Sequence, residues 1–230
     1  MAIISLREDV RAVLKGYEKM ESYCIQEDLL QRLLKKYPDH KNKAAVETKV
    51  KLLNLFYSTG IQATNKMSGN ILSIRDIDKR LSKGDKSLIP EIATLSFDDK
   101  KRYNYSFATK YCAYHQPEKF PIYDSIVAMT FASFFEKGLL PKYKCCSFKS
   151  TVEDTDTYTY TKAEFKEKLK GYDFFVDVYD YFMKLYDLKG NFTYREIDSY
   201  IWGAFKVAGP DYEIEKMAKL DKSKIIEYNF

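Results

Sequence analysis

The sequence predicts an all-α protein, and three observations carry that prediction. Apolar residues recur at i, i+3 and i+4 in one run after another. Several runs open on a Ser/Thr-x-x-Glu capping box. Gly, Pro or Asn stands where the runs stop. Ser5-Leu-Arg-Glu8 is such a box, and Leu6, Val10, Val13, Leu14 and Tyr17 then recur on one face. A second helix is expected over Ile25 to Tyr37, with Leu29, Leu30, Leu33 and Leu34 inward and Pro38 as its stop. A third runs Ala44 to Tyr57, with Val46, Val50, Leu53 and Phe56 or Tyr57 in register, and Gly60 closes it. Asn65 to Leu81 reads as one amphipathic helix followed by Gly84, and a short helix starts at Pro90, a residue suited to a first turn.

Ser96-Phe-Asp-Asp99 reads as another box-like start, opening the helix that carries Tyr105, Phe107, Ala108, Tyr111 and Cys112. Gln116-Pro117 and Phe120-Pro121 break that helix. Asp124 starts the next one, which Gly138 and Pro141 end. The stretch from about 142 to 160 breaks the helical pattern. Its Cys-Cys pair, its Glu153-Asp154-Thr155-Asp156 run and its alternating Thr and Tyr predict an irregular or hairpin insertion. Thr161-Lys-Ala-Glu164 caps a long helix to about Tyr186, and Thr193-Tyr-Arg-Glu196 caps the last, through Ile197, Ile201, Trp202 and Phe205. No internal repeat or flexible linker marks a boundary, so residues 1–230 read as one helical domain, with a two-lobed array as the variant.

A chain of 230 residues with 45% hydrophobic and 31% charged residues has enough apolar content for a core and is not a disordered one. Its apolar runs are too short for a membrane span, and Met1-Ala-Ile-Ile-Ser-Leu-Arg-Glu8 lacks a signal peptide's basic start, so the expected location is cytoplasmic. The four cysteines form no C-x-x-C pair and the two histidines, His40 and His115, have no zinc spacing, which argues against a zinc site or disulfide scaffold. Cys24 and Cys112 are expected to be buried on helices. Nothing calls for a metal or an organic cofactor. The +5 net charge fits an anionic partner, and 20 Tyr with 15 Phe supply both core and surfaces on which bases could stack.

Asp124 admits two readings. Asp is a favoured N-cap, because its side chain accepts the orphan amides of a first turn. It is also a carboxylate delivered by a Pro-containing loop to a helix start, a place for chemistry on a cationic intermediate. Residues 97–137, with Phe120-Pro-Ile-Tyr-Asp-Ser-Ile-Val127 at their centre, resemble the catalytic core of the helix-hairpin-helix DNA glycosylases, in particular the 8-oxoguanine DNA glycosylase-like branch. Val50-Lys-Leu-Leu-Asn-Leu-Phe-Tyr-Ser-Thr-Gly-Ile61 is similar to an early helix and loop of that family, and Tyr194-Arg-Glu-Ile-Asp-Ser-Tyr-Ile-Trp202 to a C-terminal helix.

The resemblance implies DNA as the partner and hydrolysis of the N-glycosidic bond of a flipped, damaged or modified base. Asp124 would stabilise the oxocarbenium-like state or orient water. Lys100, Lys101, Arg102, Asn104, Ser106 and the amides of Tyr103 to Tyr105 would face phosphates, while Thr59 and Gln62 would probe the gap left by the base. The sequence also departs from the family. The hairpin position reads Arg102-Tyr-Asn-Tyr-Ser106 without glycine, leaving Asn104 as the residue there that best tolerates a left-handed backbone. The Schiff-base lysine of bifunctional members falls at Ser106 here, and Lys110 lies one turn further along the same face. Lys110 is thus either a nucleophile or a surface lysine. His115 reads as a cationic C-terminal cap, Trp202 as core, and Tyr123 as a support for Asp124 or a partner of Phe120. Two rival functions remain: a non-catalytic DNA-binding or phage-defence-associated protein that keeps the glycosylase scaffold, and a helical protein-interaction module in which Asp124 only caps.

Overall fold

The computed structural model describes residues 6–17, 21–97, 100–143, 146–147, 157–158 and 160–208, with side chains described over 6–16, 24–96, 101–143 and 160–203. The described residues are mostly helical, as expected of an all-α chain. In order they form α1 (Leu6–Tyr17), α2 (Glu21–Lys36), α3 (Lys43–Tyr57), α4 (Thr64–Ser73), α5 (Ile77–Lys83) and α6 (Leu88–Ala93). Strands β1 (Thr94–Phe97) and β2 (Lys100–Tyr103) precede α7 (Tyr105–His115) and α8 (Ser125–Glu136). A 3₁₀ turn at Pro141–Tyr143 and strands β3 (Cys146–Ser147) and β4 (Thr157–Tyr158) lead to α9 (Lys162–Lys168), α10 (Tyr172–Leu185) and α11 (Tyr194–Ala208). None of the described helices is long and apolar enough to cross a membrane.

The chain divides into two compact units. One holds residues 15–123 together with 193–195. Within it α3 packs on α2, α4 and α7, and α6 packs on α4, α5, α7 and both strands of the first hairpin. Helix α7 is the centre of this unit: of the ten consecutive residues Tyr105 to Tyr114, all but Ser106 are buried. Ala108, Cys112 and Ala113 are small enough to let neighbours approach on sides where Phe107 and Tyr111 do not project. A helix buried on every side needs no polar stripe, which is why its apolar periodicity is weak.

The other unit holds residues 1–14, 124–192 and 196–230. Its described core is aromatic. Phe131 of α8 meets Phe175, Tyr179 and Phe182 of α10 edge-on, with centroids 5.2–6.3 Å apart. Phe135 stacks on Phe165 of α9 at 4.3 Å and 5°. Tyr200 donates to Asp9 at 3.0 Å, a buried pairing of α11 with α1.

Several expectations are corrected. The stretch 65–81 is two helices, α4 and α5, separated at Ile74–Asp76, where Asp76 takes φ +53°. Gly84 then ends α5 at φ +73° with its amide bonded to Leu81 O at 3.0 Å. The Ser96 segment does not start a helix: residues 94–97, which alternate polar and apolar, pair antiparallel with 100–103, from Thr94↔Tyr103 to Phe97↔Lys100. Thr161 and Glu164 form their capping box, but the helix they open stops at Lys168, and the chain turns through Leu169–Gly171 before α10. Leu29 is 50% exposed rather than inward, whereas Leu30 and Leu34 are buried. Cys112 is buried as expected; Cys24 is only half-buried. In the 142–160 insertion, Cys146–Ser147 pair with Thr157–Tyr158. The Ser5 capping box and the acidic run at 153–156 lie outside the described residues.

Candidate functional site

The loop that delivers Asp124 is built from α7. Thr109 is fully buried and clamps the loop's end: Tyr123 N donates to its Oγ1 at 3.1 Å, and that hydroxyl bonds Ser106 O at 3.1 Å and Tyr123 O at 3.2 Å. Phe120 and Ile122 are buried, so the loop is anchored by packing as well. Asp124 then caps α8 from an extended backbone, its Oδ1 accepting from Ile126 N at 3.0 Å and Val127 N at 2.9 Å. The capping geometry read from the sequence is present. The same two bonds fix the direction of the carboxylate.

Lys110 is not a surface lysine. It is 6% exposed, and its Nζ donates to Ser106 Oγ at 2.9 Å, one turn back on the same helix. Lys101 and Arg102 are exposed on β2. The backbone of Lys100 belongs to β2, but its side chain lies outside the described residues. Arg102 Nη1 donates to Gln62 Oε1 at 2.9 Å, so two expected DNA contacts 40 residues apart meet. Thr59 and the Ile61 amide both donate to Asn54 Oδ1 at 2.9 Å, which makes Thr59 part of a loop clamp.

Asn104 does not take the left-handed conformation. Its φ is −94°, and its amide donates to Ala93 O at 2.8 Å, tying the start of α7 to the end of α6. That amide is therefore engaged inside the protein instead of facing a phosphate. Beside it runs a stack of tyrosines. Tyr103 and Tyr105 lie 5.7 Å apart at 23°, and Tyr105 and Tyr123 4.4 Å apart at 36°. Tyr123 thus pairs with Tyr105 in this stack, and the next residue in the chain is Asp124. Trp202 is half-buried on α11.

Two polar clusters in the 15–123 unit escaped the sequence reading. The first unites both histidines of the chain. His40 and His115 stack at 4.9 Å and 26°. His40 Nδ1 lies 2.6 Å from Asp78 Oδ1 and its Nε2 2.8 Å from the Tyr111 hydroxyl. A carboxylate accepts only, which assigns the ring proton to Nδ1 and makes Tyr111 the donor to Nε2. Burial lowers the pKa of His40 against the opposing pull of Asp78, and burial with Lys49 and His40 nearby puts His115 well below the usual imidazole range. His115 is consequently neutral, not the cationic cap expected of its place at the end of α7. A ring N–H bonds the Pro38 carbonyl, while Nε2 is buried without a hydrogen-bond partner. Lys49 is fully buried, donates to Asp39 O at 3.2 Å, and is pushed down by burial to about 8. The i, i+4 spacing of Tyr111 and His115 on α7 was the available signal.

The second cluster joins Glu27, Tyr57, Tyr114 and Arg195. Arg195 Nη2 bonds Glu27 Oε2 at 2.9 Å and the Tyr114 hydroxyl at 2.5 Å, with its guanidinium 4.8 Å above the Tyr114 ring. Tyr114 and Tyr57 both donate to the same Glu27 oxygen, at 2.6 and 3.0 Å. Burial pushes the Glu27 carboxyl up, but Arg195 and the two phenols reverse this, and its pKa lies below the ordinary value. No local pattern announces a contact between residues 168 positions apart.

The family described as HI_0787_N, N-terminal domain, matches residues 9–119. A protein of Haemophilus influenzae, described only as an uncharacterized protein, is 36% identical over 154 residues, which are 66% of this chain and 62% of that protein. The chain therefore spans less than two thirds of that relative's length. No solved structure matches. The family match takes in the histidine cluster, the first hairpin and the tyrosines of the Glu27 cluster; Asp124 and Arg195 lie outside it.

Proposed function

We propose that the protein binds DNA in the cytoplasm and hydrolyses the N-glycosidic bond of a damaged or modified base turned out of the duplex, with Asp124 as the working carboxylate. The observation that carries this reading is the anchoring of Asp124. A loop clamped by Thr109 brings it to a helix start, and two backbone amides set its orientation. Bond cleavage places positive charge on the sugar, and a pre-oriented carboxylate stabilises that charge or directs water without first reorganising. The exposed Lys101 and Arg102, the latter braced by Gln62, support phosphate contact. Lys110 serves as a buried scaffold residue in this reading, bonded to Ser106, and water is the nucleophile.

A second reading, a scaffold that binds DNA without excision, is favoured by the Asn104 amide, which is bonded to Ala93 and so withdrawn from phosphate recognition. One assay separates the two. Wild type and Asp124→Asn are incubated with duplexes carrying oxidised, deaminated, alkylated or hypermodified bases, and alkali reveals abasic sites. The expected outcome is cleavage by wild type and its loss in the Asn variant at unchanged melting temperature, since Asn caps about as well as Asp. Salt-sensitive binding with no cleavage of any duplex establishes the second reading. Strand breaks without alkali, trapped by borohydride on Lys110, overturn the water mechanism.

A further inference from the structure

The first hairpin has one face turned inward and one left bare. Leu95 of β1 is buried, and β1 packs on α4 and α6. Side chains alternate along a strand, and directly opposed residues share a face. The register pairs Lys101 with Ser96 and Tyr103 with Thr94, so Lys101 and Tyr103 stand side by side on the face opposite Leu95. Ser96, Lys101 and Tyr103 are all exposed there. Tyr103 is 55% exposed, and it is not a loose side chain: Tyr105 backs its ring, and Tyr123 backs Tyr105. A flat aromatic surface held from behind, with the cation Lys101 beside it on the same face, matches a nucleotide in both shape and charge. Bases of any sequence offer a π-face, and the phosphates flanking them offer the countercharge. An acidic peptide would use the cations but would leave the supported ring without a role.

We propose that the outward face of this hairpin is a platform for an unpaired nucleotide, whose base stacks on Tyr103 while an adjacent phosphate pairs with Lys101. The proposal rests on the DNA-binding half of the reading above and is independent of excision. It is tested with a short single-stranded oligonucleotide carrying a fluorescent purine whose emission falls on stacking, and with the matching duplex. Wild type is expected to quench the single strand and to bind it more tightly than the duplex. Tyr103→Ala should weaken that binding about tenfold and abolish the quenching, while Tyr103→Phe restores both. Lys101→Ala should lower the salt dependence of binding by about one phosphate contact. Because these side chains are exposed, unchanged melting curves are expected for all three variants. Equal binding by wild type and Tyr103→Ala, no quenching, or no binding of the single strand overturns the platform. Quenching and binding without excision of any duplex leaves the platform standing and removes only the excision chemistry.

Discussion

Asp124 caps α8 with one carboxylate oxygen on two amides, so its structural and chemical roles can be separated by choice of substituent. Asp124→Ala should lower stability by about 1 kcal/mol, whereas Asp124→Asn should hold it, as thermal melts would show. The histidine cluster makes a second prediction at this scale. In the unfolded chain both imidazoles titrate near 6.5, and in the fold both lie lower because burial disfavours the charged ring. Their contribution is full above about pH 6.5 and is lost as the pH falls through the lowered values. Lys49 has its own window. The fold releases its proton near 8, the unfolded chain near 10.5, so stability should rise with pH from 8 until the phenol of Tyr111, held protonated by burial, opposes it above about 10. Lys49→Met should remove the alkaline rise, soften the acid loss, and raise stability at pH 7 by about 1 kcal/mol. Urea denaturation across pH would show all three; an unchanged profile would exclude Lys49 as the cause. Asp124 as a cap was legible because capping is a local, short-range preference. The neutrality of His115 was not, since it depends on His40 and Lys49, which lie far away in the sequence.

At the scale of elements, the readable features were those that depend on neighbours three or four residues apart. Val46, Val50 and Leu53 are buried on α3 as their spacing requires, and Thr161 with Glu164 closes its box. Breaks within apolar runs were harder to see. The α4–α5 junction carries no Gly or Pro at the turn itself; Asp76 takes the left-handed conformation instead. Asp is among the few non-glycine residues that tolerate it. Asp76 is exposed, and its ion pair with Arg75 is a surface one, so Asp76→Gly should leave the fold intact and stabilise it by about 0.5 kcal/mol. A drop in melting temperature would mean that the Asp76 side chain holds the junction together. The first hairpin was missed for a related reason: four alternating residues on β1 and a charged β2 with no alternation are too little to outweigh a box-like Ser-Phe-Asp-Asp motif. Helix α7 was found, but its Lys110 was misjudged, because a helix buried on all sides gives its polar residues no exposed stripe to mark them.

At the scale of the molecule, the sequence offered two lobes only as a variant and no boundary between them, since no linker marks one and each unit is assembled from distant segments. The 15–123 unit is completed by residues 193–195, of which Arg195 bonds to Glu27. Arg195→Met should therefore leave a half-buried carboxylate facing two phenols without its cation. The expected loss is about 2 kcal/mol, with the Glu27 carboxyl returning towards or above its ordinary range. Glu27→Gln made together with it should recover part of the loss, a coupling that a double-mutant cycle would measure. Additive effects would show the network to be incidental.

The late position of Arg195 also bears on how the protein is made. Glu27 leaves the ribosome 168 residues ahead of its partner, a delay on the order of ten seconds at ordinary elongation rates. During that interval the helices of residues 15–123 can gather, but Tyr57, Tyr114 and Glu27 have no guanidinium to close around. The nascent unit waits, unfinished, for residues 193–195.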